Sequence, residues 1–140
     1  MNDAPTPENT SELSLLADRL NETLRLSGAA SAEQAFGLGF SLGMGPIVLV
    51  LLVLFLFKVI NIILAFILLV MALLAIAGVT MLAAQQARSN GIQRTYRTSV
   101  QAEIEQYLTQ NNLTRPQFNR LVEHFLPEDA PLQAFLMDKE

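Results

Sequence analysis

Polar side chains nearly vanish between Phe36 and Ala84, a run of Leu, Ile, Val, Phe, Met, Ala and Gly interrupted chiefly by Ser41, Pro46, Lys58, Asn61 and Thr80. The hydrocarbon core of a bilayer is about 30 Å thick and is crossed by roughly 20 helical residues. One helix over the whole run would be about 73 Å long, so the run predicts two spans. The turn falls at 58–61, where Lys58 and Asn61 stand together, giving helices over 32–57 and 62–84 in a transmembrane hairpin at 31–86. A buried helical hairpin in a globular core is the soluble alternative. The flanking sequence is too short to cover two such helices on every side.

The first span carries Pro46 and a glycine-rich approach, Phe36-Gly-Leu-Gly-Phe-Ser-Leu-Gly-Met-Gly45. A helix beginning at Pro46 would be only about 18 Å long before Lys58, too short to cross. Ser31-Ala-Glu-Gln34 fits a capping box and predicts an earlier start, with a kink near Pro46. A re-entrant half-helix over the same stretch is the alternative.

Outside the run the pattern becomes amphipathic. Residues 1–10 hold Pro5, Pro7 and short polar side chains, the composition of a disordered tail. Over 11–30, Leu13, Leu16, Ala17, Leu20 and Leu24 share one helical face, Leu15 and Leu26 fall off it, and Ser27-Gly28 marks an end. In the segment 88–140, Ser89-Asn90-Gly91 signals a break, although a long helix can also run through it. Ile92, Tyr96, Val100, Ile104, Tyr107 and Leu108 then form a stripe closed by Asn111-Asn112. Thr114-Arg-Pro-Gln117 is a second capping box, and the helix it opens, to Leu126, aligns Phe118, Leu121, Val122 and Phe125. Pro127 and Pro131 bracket a turn before a short last segment. No strand pattern and no internal repeat is present. The fold class expected is all-α: an integral membrane helical hairpin of two transmembrane helices with flanking amphipathic helices.

Averages conceal this layout: the chain is 51% hydrophobic and 16% charged, with a net charge of −4. Charge is in fact segregated, since residues 34–87 hold no acid and one base, Lys58. The acidic balance argues against a nucleic-acid partner. With no Cys and one His, thiolate metal sites, disulfides and multi-His cages are excluded. The acidic Met1–Pro7 lacks the basic region of a cleaved secretory signal. Arg88, Arg94 and Arg97 follow the second span, Arg19 and Arg25 precede the first, and Lys58 alone marks the turn. The positive-inside rule therefore puts both termini in the cytoplasm or its stromal equivalent, in a bacterial inner membrane or a thylakoid-type membrane. Arg88, Arg94 and Arg97, like Lys58, serve as topology or lipid-headgroup residues.

Candidate chemistry is sparse. Proton relays and transport sites need ionisable or strongly polar groups at membrane depth, and of these the chain offers, between Pro46 and Ala84, only Lys58 and Asn61 at the turn. Met44, Met71 and Met81 read as packing residues, and His124 beside Glu123 lacks a nucleophile or a second ligand. The three Asn-x-Ser/Thr matches beginning at Asn9, Asn21 and Asn112 are what a chain this rich in Asn, Ser and Thr produces by chance. No phosphate-binding, dinucleotide, GxSxG or HExxH motif occurs. We therefore expect no catalysis, no cofactor and no small-molecule substrate.

Two features point to association instead. Gly39-x-x-x-Gly43 and the phased Gly37, Ser41 and Gly45 put small residues where helix backbones approach closely in lipid. The flanking stripes Leu13, Leu16, Leu20 and Leu24, with Tyr96, Val100, Ile104, Tyr107, Phe118, Leu121, Val122 and Phe125, carry mixed or acidic polar faces unlike the basic faces of membrane-surface helices. They are expected to meet each other or to dock on a partner. Residues 88–140 are marginal as a free-standing core. Partners are then the bilayer and other membrane subunits or copies of the chain, and the expected role is an accessory, assembly or scaffolding subunit. The layout of amphipathic helix, hairpin and amphipathic helix also resembles that of reticulon-type and thylakoid-curvature proteins, and the two-span plan resembles some phage holins. That likeness is one of topology, and it implies self-assembly and membrane shaping.

Overall fold

The computed structural model describes residues 7–137. Of the tail expected over 1–10, residues 1–6 lie outside the described residues, and 7–10 are already helical. Every regular element among the described residues is a helix: α1 (Pro7–Leu56), α2 (Ile62–Thr95), a π-helical turn (Tyr96–Val100), α3 (Gln101–Asn111), α4 (Arg115–Glu123) and α5 (Pro131–Met137). Two helical stretches, Thr10–Leu56 and Ile62–Asn111, are long and apolar enough to cross a membrane. The chain divides into two compact units, one of Met1–Gly28 with Asn90–Glu140, the other Ala29–Ser89.

The helix boundary expected between Gly28 and Ser31 is absent, and of the two readings of 89–91 the continuous one is found. α1 runs unbroken through Ser27-Gly28 and through the capping box expected at Ser31, and α2 runs through Ser89-Asn90-Gly91. The Ser27 hydroxyl donates to the Leu24 carbonyl, so the side chain is satisfied inside the helix rather than at a cap. Glycine within a helix costs only about 1 kcal/mol. Helix propagation on both sides, backed by tertiary burial, outweighs that. Pro46 likewise lies inside α1, so the first apolar helix is not a half-helix beginning at the proline. α4 ends at Glu123 rather than Leu126, where the Phe125 and Leu126 amides both return to the Val122 carbonyl.

Local chemistry explains the boundaries that do form. At the end of α1, the Lys58 amide donates to the Phe55 carbonyl and the Val59 amide to that of Leu54, the two bonds of a Schellman closure. Lys58 takes the left-handed conformation there, with φ of 56°. α2 begins at once, because the Asn61 side-chain oxygen accepts the Leu64 amide at 2.8 Å. Asn112, with φ of 51°, closes α3 in the same left-handed way. Thr114 and Gln117 form the capping box of α4: the Thr114 amide and hydroxyl both donate to the Gln117 side-chain oxygen.

In Ala29–Ser89, α1 and α2 meet along a seam of small residues. A Cβ built on Gly39 would lie 2.9 Å from the Thr80 methyl, and one on Gly43 would lie 3.2 Å from Ile76 Cγ2. Stepping four residues forward on α1 thus steps four backward on α2, so the helices are antiparallel. Thr80 is buried, and its hydroxyl donates within its own helix to the Ile76 and Ala77 carbonyls. Those bonds fix its rotamer and hold the methyl over Gly39. Gly37 and Gly45 have open space where a Cβ would stand, and Ser41 is exposed, so the two glycine series face opposite ways.

Gly39→Ala should therefore lower the melting temperature of the detergent-solubilised protein, with a loss of about 1–3 kcal/mol for an overpacked contact. Adding Thr80→Ser, which removes the methyl, should restore most of it, while Gly37→Ala and Gly45→Ala, whose added methyl meets open space, should leave the melt unlowered or raise it by up to about 1 kcal/mol. Circular dichroism on the four variants checks the set.

Candidate functional site

The unit of residues 7–28 and 90–137 is built around one apolar core. Leu13, Ala17, Leu20 and Leu24 on α1 are buried with Tyr96, Val100, Ile104, Phe118, Val122, Leu126, Ala130, Leu132 and Leu136. Leu16, Ile92, Tyr107, Leu108, Leu121 and Phe135 pack against this cluster. The 4-3-4 spacing of the α1 residues keeps them on one stripe of an ordinary helix. The stripe opposite is spaced by four throughout: Ile92, Tyr96, Val100, Ile104, Leu108. On an α-helix each such step overshoots a full turn by about 40°. The π-helical turn at Tyr96–Val100 takes up the excess, so Tyr96, Val100 and Ile104 are all buried.

This placement corrects the expected docking surface. Leu13, Leu20, Leu24, Tyr96, Val100, Ile104, Phe118 and Val122 are closed inside the chain's own core, and Leu16, Tyr107 and Leu121 are half-buried against it. Of the expected docking residues, Phe125 is the one left exposed. The physical reason is that residues 88–140 do acquire the cover they lack, but from the first turns of α1. A partner is not needed to satisfy those stripes.

Polar contacts fix the same arrangement. Arg19 on α1 forms an ion pair with Glu103 on α3. The Asn21 side-chain oxygen accepts the Leu132 amide at 3.4 Å, a long bond at the start of α5. The Tyr96 ring stacks on Phe135 with centroids 4.2 Å apart, and its hydroxyl accepts a hydrogen bond from Arg115. The Asn119 amide donates to the Leu136 carbonyl at 3.2 Å. Tyr107 lies tilted against Phe118, and partial burial, with the carboxylate of Glu12, holds its phenol above the usual range.

The charged residues expected to meet lipid headgroups, Lys58, Arg88, Arg94 and Arg97, are all exposed. His124 is exposed too, and its Nδ1–H donates to the Arg120 carbonyl at 2.9 Å, the bond of a histidine at a helix end. Among the described residues, no group of three His, Cys, Asp or Glu is placed to hold a metal ion. Among the described residues, the buried side-chain oxygens Asn119 Oδ1 and Gln133 Oε1 have no hydrogen-bond partner.

The contrast between the units is in their surfaces. Apart from Leu15, Leu26 and Phe125, every exposed large apolar side chain among the described residues lies between Phe36 and Leu82. Soluble monomers rarely leave contiguous apolar areas of that kind in water. The molecule is thus an all-helical protein with two helices able to cross a membrane and a separate, self-closed helical unit. No family model, no curated protein and no solved structure matches the chain.

The environment of Tyr107 has a measurable consequence. In the unfolded chain a tyrosine ionises near pH ~10, earlier than Tyr107 does when folded. Stability tied to the neutral phenol is then present below about pH 10 and is lost as pH rises through the higher folded value. Ultraviolet titration should show a phenolate step above the ordinary range that Tyr107→Phe removes, and the same substitution should flatten the alkaline fall in stability.

Proposed function

We propose that the chain is a non-enzymatic membrane protein, an accessory, assembly or scaffolding subunit of a larger membrane complex, anchored by a two-span helical hairpin. The observation that carries this reading is the segregation of exposed apolar surface onto Phe36–Leu82, beside a polar helical unit whose own apolar stripes are already covered. From Phe36 to Phe57 α1 and its closing turn rise about 32 Å, and from Ile62 to Leu82 α2 rises about 30 Å, matching a bilayer's hydrocarbon core. Two spans return the chain to its starting side, consistent with residues 7–28 and 90–137 sharing one core. The positive-inside rule favours the cytoplasmic or stromal side for both, given Arg88, Arg94 and Arg97.

Membrane shaping is disfavoured by the same burial. A helix that bends a leaflet inserts its apolar face among the lipids, and here the faces of Leu13–Leu24 and Tyr96–Ile104 are enclosed by protein. Transport is disfavoured by the apolar depth of the spans: Thr80, the one buried polar residue of the seam, satisfies its hydroxyl within its own helix. The contact surface left for a larger subunit in the membrane is the outer apolar face, including the open side of Gly37, Ser41 and Gly45.

Affinity purification in mild detergent tests this reading. The tagged protein should return with one or more larger membrane subunits in fixed stoichiometry. Recovery of the protein alone, together with tubulation of or leakage from pure liposomes, would favour the membrane-shaping or holin-like alternative.

A further inference from the structure

The polar defects of the helical unit gather on one element, the seven-residue α5. Of the two stranded oxygens, Gln133 Oε1 lies on α5 itself, and Asn119 Oδ1 lies on the side chain whose amide holds the Leu136 carbonyl. Gln133 is 5% exposed, so its oxygen has lost water without gaining a donor. The bond at the start of α5, from the Leu132 amide to Asn21 Oδ1, measures 3.4 Å, longer than the usual limit of about 3.2 Å. A buried acceptor left unpaired costs more than an ordinary hydrogen bond returns. Apolar contact is therefore what holds α5 down: Leu132 and Leu136 are buried, and Phe135 stacks on Tyr96.

We propose that α5 is a latch, which opens as one piece about Pro127–Asp129 while the rest of the helical unit stays folded. Those three residues are exposed and lie between α4 and α5, so they can turn without breaking a buried contact. Opening returns Gln133 Oε1 to water, which offsets part of the apolar contact given up. Closed, the latch bridges three elements through Asn21 on α1, Tyr96 on the π-helical turn and Asn119 on α4. Open, it bares the ring face of Tyr96. Fraying of a chain end works differently, since it loosens residues one by one from the last inward. In α5 the first contact, at Leu132, is held as poorly as those that follow, so the contacts release together as a small cooperative unit. The latch belongs to this unit alone and does not rest on the subunit role.

Hydrogen exchange at single amides of the full-length protein in detergent tests it. Leu132, Phe135 and Leu136 should share one level of protection, equal within about threefold and at least about a hundredfold below that of Ile104 and Val122. Gln133→Met keeps the length of the side chain and removes the stranded oxygen, so it should raise the protection of α5 roughly tenfold. Ile104→Val, two turns beyond Tyr96, should lower the protection of Ile104 and Val122 about threefold or more and leave α5 as it was. Protection that falls steadily from Leu132 to Leu136 would show fraying and overturn the latch. So would α5 protected as well as Ile104, a loss at α5 in Ile104→Val, or no gain at α5 in Gln133→Met.

Discussion

Burial of four residues on the first turns of α1, Leu13, Ala17, Leu20 and Leu24, is the contact on which the helical unit depends. Residues 90–137 alone offer the end of α2, a π-helical turn and α3 to α5, too little to enclose a core. The stripe from α1 supplies the missing wall, and Ile104, Phe118, Val122 and Leu132 become fully buried beneath it. Arg19–Glu103 and Asn21–Leu132 then set the register of that wall with polar contacts. Because the stripe comes before the apolar run and the rest of the core comes after it, the fold brings together segments separated by that whole run. The contribution is that of any core: each large side chain removed from water is worth roughly 1.5–3 kcal/mol.

The same helix obeys a different rule further along. Over residues 13–24, α1 buries Leu13, Ala17, Leu20 and Leu24 and exposes its charges. Beyond Ala29 it exposes large apolar side chains and packs through small ones, with Gly39 and Gly43 against Thr80 and Ile76. That inversion is what lipid requires, where apolar surface gives no drive to associate and close backbone approach does. Thr80 shows the polar side of the rule: its hydroxyl is satisfied by its own helix, so it leaves no unpaired donor at the seam. The turn between the helices is equally economical. A left-handed lysine closes one helix and an asparagine caps the next, which accounts for the two polar interruptions at Lys58 and Asn61.

Much of this was legible in the residues. The length of the apolar run, the turn at Lys58 and Asn61, the capping box at Thr114 and the stop at Asn112 follow from local chemistry acting over a few residues. What was not legible depends on partners distant in sequence. Nothing in Leu20 or Phe118 says whether their stripes close on each other or on a second protein; the structure puts both residues in one core. Gly39-x-x-x-Gly43 named a packing face but not Thr80 and Ile76 opposite it. The break expected at Gly28 fails, and the helix runs on through Gly91, because a glycine weakens a helix without ending it. One signal was present and missed: the unbroken four-residue spacing from Ile92 to Leu108 is too long for an α-helix, and the π-helical turn is its structural answer.

Hydrogen exchange on full-length Leu20→Ala tests the central claim, that the start and end of the described chain build one core. Truncating a buried leucine costs about 2–5 kcal/mol. If α1 is a wall of that core, protection should fall by roughly 30-fold or more at the amides of Ile104, Phe118 and Val122, as well as within residues 13–24. Loss confined to residues 13–24, with Ile104, Phe118 and Val122 protected as before, would show that residues 90–137 fold without α1 and would contradict the account.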